Sequence, residues 1–316
     1  MSDPTPDTTA DSTSTASGTH VQGGILDEST TSHCAQQFSV VEGVDVAALR
    51  RAIGSIRDLA GSERGPDHVV IAVGASLLGT LAVDELPGGM GPFTPVDGVD
   101  GLRAPATQDD LIVWCSSTTA DRCLSGAWLT RRTLDGLATL TDETHGFQYF
   151  DHQDLTGFED GTENPKGAER VEVAAIPDGP SAGGSFVLAQ RWVHDLAAFE
   201  CLSIDEQELV VGRTKDGSVE LDPMPQCAHV ERVVMEDDRG EERQIYRRSF
   251  PYGDTDELGL FFLAFNAELQ TFQDMLERMY GVTDGLADRL TEVSHPVSGA
   301  YYIAPSVELL DAIVAG

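Results

Sequence analysis

The chain has 316 residues, 41% of them hydrophobic and 7% aromatic, a mixture that builds a globular core in one large domain or two ordinary ones. Asp and Glu number 53 against 20 Lys and Arg, a net charge of −33. That sign excludes nucleic acid as a partner, because phosphate contact needs cationic neutralisation, and it excludes an acidic membrane surface for the same reason.

In chain order, residues 1–20, MSDPTPDTTADSTSTASGTH, hold no basic or apolar region and no twin-arginine pair. They read as a disordered acidic tail rather than an export signal, and no apolar run approaches a membrane span, so a cytoplasmic protein is expected. A strand is predicted at Gln37–Val41. A helix follows from Val46 to about Leu59, with Leu49, Ile53, Ile56 and Leu59 near helical spacing. His68–Gly74 and Asp110–Ser117 read as strands, and the Gly- and Pro-rich stretch Leu86–Leu102 between them as loop. A helix from about Ala120 to Leu140 and the segment GFQYFD close a first unit, 21–150.

A polar, glycine-rich linker, 151–184, leads to a second unit, 185–316. Ser185–Val193 reads as a strand and Leu196–Val211 as helical turns. Strands are predicted at about His229–Glu236 and Arg243–Arg248, with DDRG as their turn. The apolar run Leu258–Phe265 suits a central strand buried on both faces. A helix over about Glu268–Tyr280 and a strand in AYYIAPS complete the unit. Strand, helix, two strands, helix, strand, occurring twice, predicts an α+β protein of two ferredoxin-like units, antiparallel sheets with helices on one face.

Several signals bear on chemistry by being absent or weak. The five cysteines, Cys34, Cys115, Cys123, Cys201 and Cys227, have no C-x-x-C pair and are expected to be free thiols in a reducing compartment. No phosphate-binding loop, dinucleotide fingerprint or H-E-x-x-H occurs, and Gly88–Gly91 is too short and is followed by Pro92. His33 and Cys34 are neighbours in sequence, but adjacent strand side chains face apart. Lys166 and Lys215 are the only lysines. With the carboxylate excess they suggest a surface for concentrated salt and a halophilic source, the alternative being an acidic mesophilic protein.

Three constellations remain. TGFEDGTENPKG, Thr156–Gly167, sets two glycines around an acidic pair, which permits a tight turn presenting Asp160, or a plain surface turn with a solvated carboxylate. QCAHVERVVMED places His229 as a metal or haem ligand, a base, or a core hydrogen-bonding residue. IYRRSFPYG contains adjacent Arg247 and Arg248, of which only one can look inward on a strand; the alternative is a surface pair.

Taken together, GFEDGTENP, AHVERVV, YRRSFPYG and GAYYIAPS, in that order, resemble the dye-decolourising peroxidase family, most closely its bacterial and archaeal B-type branch. The resemblance runs from about Val21 to Ser306, with APATQDDL and GGSFVLAQRW adding weaker agreement. It implies two ferredoxin-like units with one haem b per chain in the second, reducing hydrogen peroxide and oxidising dyes or other organic reductants. It also implies that Asp160, in the G-x-x-D-G motif, is the distal acid and Arg247 the distal arginine. Arg248 falls where that arginine's neighbour points away, and Ser249 at a small polar distal position where some relatives carry Asn. By the same resemblance His229 holds the iron, Asp288 hydrogen-bonds it, and Gly161, Thr162 and Glu163 lie on the cofactor. A homo-oligomer is expected. The chain ends at LLDAIVAG, without the tail that loads some relatives into encapsulin shells, so that partner is not predicted. The alternatives are a haem-handling or chlorite-dismutase-like protein of the same architecture, and a haem-free interaction module.

Overall fold

A computed structural model describes residue 18 and residues 20–81, 87–237 and 239–316. Most of the predicted tail, Leu86 of the predicted loop and Asp238 of the predicted turn lie outside these residues. Eight strands carry the fold: β1 (Ser32–Val40), β2 (His68–Val73), β3 (Leu111–Ser117), β4 (Ala138–Phe147), β5 (Ser185–His194), β6 (Phe250–Gly253), β7 (Leu258–Asn266) and β8 (Ala300–Ala304). The first four pair antiparallel in the order β2-β3-β1-β4, and the second four in the order β8-β5-β7-β6. Each is the strand order of a ferredoxin-like unit, as predicted.

The two sheets join edge to edge, each time through one residue pair: Ile303 with Val73, and Gly146 with Tyr252. The eight strands therefore close into one ring. Closure buries both faces of most strands, which is why they read as continuous apolar runs. Inside the ring, Ala35, Val70, Trp114 and Ile112 meet Val187, Phe261, Leu263, Phe265 and Tyr302. Outside the first sheet, Ile71, Val113 and Cys115 pack under helices α1 (Val46–Arg57) and α2 (Ala120–Thr133). Outside the second, Phe186, Leu188 and Ala264 pack under α3 (Leu269–Met279), whose Phe272, Met275, Leu276 and Met279 form its buried stripe.

The units also exchange cover. Phe93, Val96 and Ala104, from the first half, join the core of the second sheet. Leu310 and Ile313 of the C-terminal helix, Val307–Ala315, join the core of the first.

Two predicted elements are corrected. The helix expected to run to Leu140 ends at Thr133, where Gly136 takes φ +74°, and Ala138–Phe147 is strand β4. His229 does not begin a strand; His229–Val233 is a single helical turn that follows Ala228 without a side-chain cap. Its valines look strand-like, but five residues are too few to show a helical period. The expected turn does form, with Asp237 accepting from Gly240 and Arg243 donating to the Met235 carbonyl. Among the described residues no helix is long and apolar enough to cross a membrane.

The seam between β4 and β6 leaves no room at Gly146. A Cβ there would stand 2.1 Å from Phe250 Cδ2 and 2.7 Å from the Pro251 carbonyl oxygen. Gly146→Val is expected to cost about 2 kcal/mol or more by overpacking, read as a lower midpoint in thermal unfolding followed by circular dichroism.

Candidate active site

The G-x-x-D-G segment is held both by local polar groups and by the elements packed around it. Gly157 and Gly161 adopt φ +83° and +77°, as a turn around Glu159 and Asp160 demands. Asp154 organises the start of the turn: its Oδ2 accepts from the Thr156 amide at 2.9 Å and from the Thr156 hydroxyl. Its Oδ1 meets His194 Nε2 at 3.2 Å, and His194 Nδ1 meets the Ser294 hydroxyl at 2.8 Å. Phe158 anchors the turn in an apolar cluster with Phe199, Val210 and Val293. Lys215 lies over both Phe158 and Phe199, its Nζ 5.3 and 5.8 Å from the ring centres.

Asn164 ties this turn to the second sheet. Its Oδ1 accepts from the Arg247 amide at 2.9 Å, and its Nδ2 donates to the Arg247 carbonyl at 2.8 Å. The Asp160 amide donates to the His152 carbonyl at 2.9 Å. These bonds bring the Arg247 guanidinium to 3.6 Å from Asp160 Oδ1, both side chains about a quarter exposed. Asp160, Gly161, Arg247 and Ser249 line one cavity of about 300 Å³, together with His33 and Arg248. Ser249 Oγ accepts from the Leu263 amide at 3.4 Å.

Arg248, expected to point away, is the more buried arginine of the pair. It donates to the Gly24 and Ile25 carbonyls at 3.1 and 2.9 Å and lies 5.0 Å over the Trp114 ring. His33 stacks between Trp114 and Phe250, while Cys34 faces the helices, so the two neighbours do face apart. Burial, then the charge of Arg248, pushes His33 down to about 3, so it is neutral at working pH.

His229 and Asp288 form a separate pair. His229 Nδ1 meets Asp288 Oδ2 at 2.7 Å, and the carboxylate is fully buried. Its other oxygen accepts from the Leu290 amide at 2.8 Å, capping the turn Arg289–Glu292. Both carboxylate oxygens are thus committed, and the imidazole is held by one nitrogen with Nε2 left as the ligating atom. Arg232 locks the same two segments. It donates to both Asp284 oxygens at 2.8 and 2.7 Å and to the Arg278 carbonyl. An imidazole oriented by a buried carboxylate is the donor that an axial haem ligand requires.

Glu163 and Thr162 are placed less tightly. Glu163 is exposed, with its carboxylate on Arg213 at 2.7 Å beside Glu220 at 2.6 Å; Thr162 is half-buried beside it. Sequence reasoning passed over Asp154, Asn164, His194 and Arg232. Asn164 stands within the recognised motif, and Arg232 one helical turn after His229, so position was the signal available for both.

Burial raises the Asp154 carboxyl, but hydrogen bonds from His194 and Thr156 outweigh it and hold the group below its usual value. A depressed carboxyl adds stability that is present above about pH 4 and lost as pH falls through the depressed value. Asp154→Asn is expected to cost about 2 kcal/mol and to flatten the acid limb of unfolding below about pH 4, as monitored by tryptophan fluorescence.

Comparison with known proteins agrees across nearly the whole chain. Residues 30–148 match the family described as Dyp-type peroxidase, N-terminal, and residues 151–309 match Dyp-type peroxidase, C-terminal. A dye-decolorizing peroxidase of Mycobacterium tuberculosis is 36% identical over 250 residues, 77% of this chain and 74% of that one. One from Rhodococcus erythropolis is 35% identical over 274 residues, 84% of this chain and 79% of that one. Among solved structures, a dye-decolorizing protein from V. cholerae superposes with a TM-score of 0.84 at 36% identity, covering 92% of this chain and 99% of that one. DypB from Rhodococcus jostii gives 0.86 at 31%, covering 92% and 97%. A variant of the latter, solved in complex with heme, gives 0.84 at 31%, covering 90% and 96%. With both halves matched in order and a shared closed double sheet, the chain belongs to the Dyp-type peroxidase family.

Proposed function

We propose that this protein is a haem peroxidase in which His229 binds the iron and Asp160 with Arg247 receives hydrogen peroxide. The observation that carries the reading is the occurrence in one chain of a histidine held by a buried carboxylate, His229–Asp288, and, separately, of an acid–guanidinium pair, Asp160–Arg247, that lines a cavity. Haem supplies the oxidising equivalents when bound. His229 would hold the haem iron through Nε2, and Asp288 on Nδ1 would increase the electron donation of the imidazole. Asp160 takes a proton from the incoming peroxide and returns it to the departing oxygen. Arg247 keeps its charge at any working pH and stabilises negative charge as the O–O bond opens. The 3.6 Å gap between them is longer than a direct hydrogen bond, which leaves both groups free to turn to a ligand in the cavity.

In this reading hydrogen peroxide reaches Asp160 and Arg247 through the cavity that they line, and bulky dyes react at the protein surface. A B-type enzyme is the branch we favour, on the likeness to DypB from Rhodococcus jostii. A halophilic source is part of the same reading. Its support is the net charge of −33 and a cation set made almost wholly of arginine. Most of the described ion pairs use arginine, for example Arg57 with Asp311 and Arg103 with Asp97. High salt screens the repulsion of the remaining carboxylates over a few ångströms.

His229→Ala is expected to lose the Soret band of a histidine-ligated iron on reconstitution with haem. Arg247→Leu should keep that band and lose about 100-fold or more in the stopped-flow rate with peroxide. An unchanged rate in the Arg247 variant would remove its assigned role. Dialysis from molar salt into dilute buffer should unfold the protein, followed by circular dichroism; indifference to salt would end the halophilic reading.

A further inference from the structure

On the helix-covered face of the first sheet, away from the cavity, three different ligand types converge. We propose that Cys34, Glu143 and His145 form a binding site for one divalent cation of the zinc type, bridging β1 and β4. Among the described residues this is the group of three or more His, Cys, Asp and Glu whose candidate ligand atoms all lie within 4.8 Å of one another.

The register of the sheet makes the site. Cys34 and His145 are directly opposed across the β1–β4 ladder, and Glu143 opposes Gln36 two residues away on the same face. Cys34 Sγ lies 3.7 Å from His145 Nε2, and the same nitrogen lies 2.8 Å from Glu143 Oε1. A tetrahedral zinc with Zn–S of about 2.3 Å and Zn–N of about 2.0–2.1 Å separates sulfur from nitrogen by about 3.6 Å. The observed sulfur–nitrogen spacing therefore needs almost no adjustment. The nitrogen–oxygen pair, now at 2.8 Å, has to open by about 0.6 Å, to about 3.4 Å, to admit the ion.

The surroundings also suit a metal. Gln36 Nε2 donates to the second oxygen of Glu143 at 2.6 Å, which leaves Oε1 directed at His145 and fixes the carboxylate from behind. Cys34 is fully buried and forms the floor, whereas the Glu143 and His145 side chains are 30% and 46% exposed and leave an entry path with room for a water as fourth ligand. Burial, followed by the neighbouring thiols Cys115 and Cys123 and the carboxylates Glu143 and Asp142, raises the Cys34 thiol, which opposes binding and means that the ion has to displace a proton there. Binding thus replaces that proton with the cation and releases it to solvent. Three protein ligands with one open position add a cross-brace to two strands already joined by backbone bonds and by the Gln36–Glu143 hydrogen bond.

The test uses the haem-loaded protein, so that His229 is occupied, in molar sodium chloride, so that the acidic surface is screened. Equilibrium dialysis against zinc ions, with elemental analysis, should find one zinc per chain. Zinc-edge X-ray absorption should show one sulfur scatterer among nitrogen and oxygen neighbours. His145→Ala, a change at an exposed side chain, should weaken binding at least tenfold while leaving the haem spectrum and peroxide reaction unchanged. Cys34→Ser should lose the sulfur scatterer. Equal zinc uptake by wild type and the His145 variant, or a bound ion without sulfur, overturns the site, and the His145 comparison stands even if Cys34→Ser fails to fold.

Discussion

Closing two four-stranded sheets into one ring leaves most of their strands buried on both faces, and the placement of nearly every functional group follows from that constraint. Inside and outside alike must be apolar, so Val69–Val73, Leu111–Cys115 and Phe261–Phe265 alternate between two cores rather than between core and water. Most charged groups stand at strand ends, on the connections, or on the exposed face of β4. Asp160 accordingly stands on the connection between the sheets, and Arg247 just before the short strand β6. The few polar side chains that enter the ring, such as His33 and Arg248, do so against aromatic rings or backbone carbonyls.

Rigidity of the site comes from groups that never touch a ligand. Asn164 spends its whole amide on the backbone of Arg247, fixing the register between the motif turn and the sheet. Asp154 and Asp288 play equivalent parts on the two sides. Each is a buried carboxylate whose oxygens are divided between a histidine and the backbone amides of its own turn. Such fully committed carboxylates hold a side chain in one orientation, whereas solvated ones do not. The overall charge of −33 does not dictate which carboxylates are structural.

Local pattern served well where one element filled its environment by itself. The stripe Phe272, Met275, Leu276 and Met279 and the run Leu258–Phe265 declared a helix and a buried strand. It failed where neighbours decided. Strand β4 reads Thr-Leu-Thr-Asp-Glu-Thr-His, with alternate residues exposed, and borrows its order from β1. The single turn at His229 takes its shape from Arg232, which is bound to Asp284 and Arg278. Neither bond is visible within a window of a dozen residues.

By itself, then, the sequence determined the two-fold repeat of elements, the apolar faces of most strands, and the chemistry offered by Asp160, His229 and Arg247 through the order of their motifs. Only the tertiary structure decided that Arg247 sits opposite Asp160 by way of Asn164, 83 residues earlier, and that Asp288 reaches His229 across 59 residues. It likewise decided that Cys34 faces His145, 111 residues away, rather than its neighbour His33. The reason is physical. Periodicity and turn chemistry report forces within a few residues, whereas these pairs are set by how two sheets twist, register and close on a shared core.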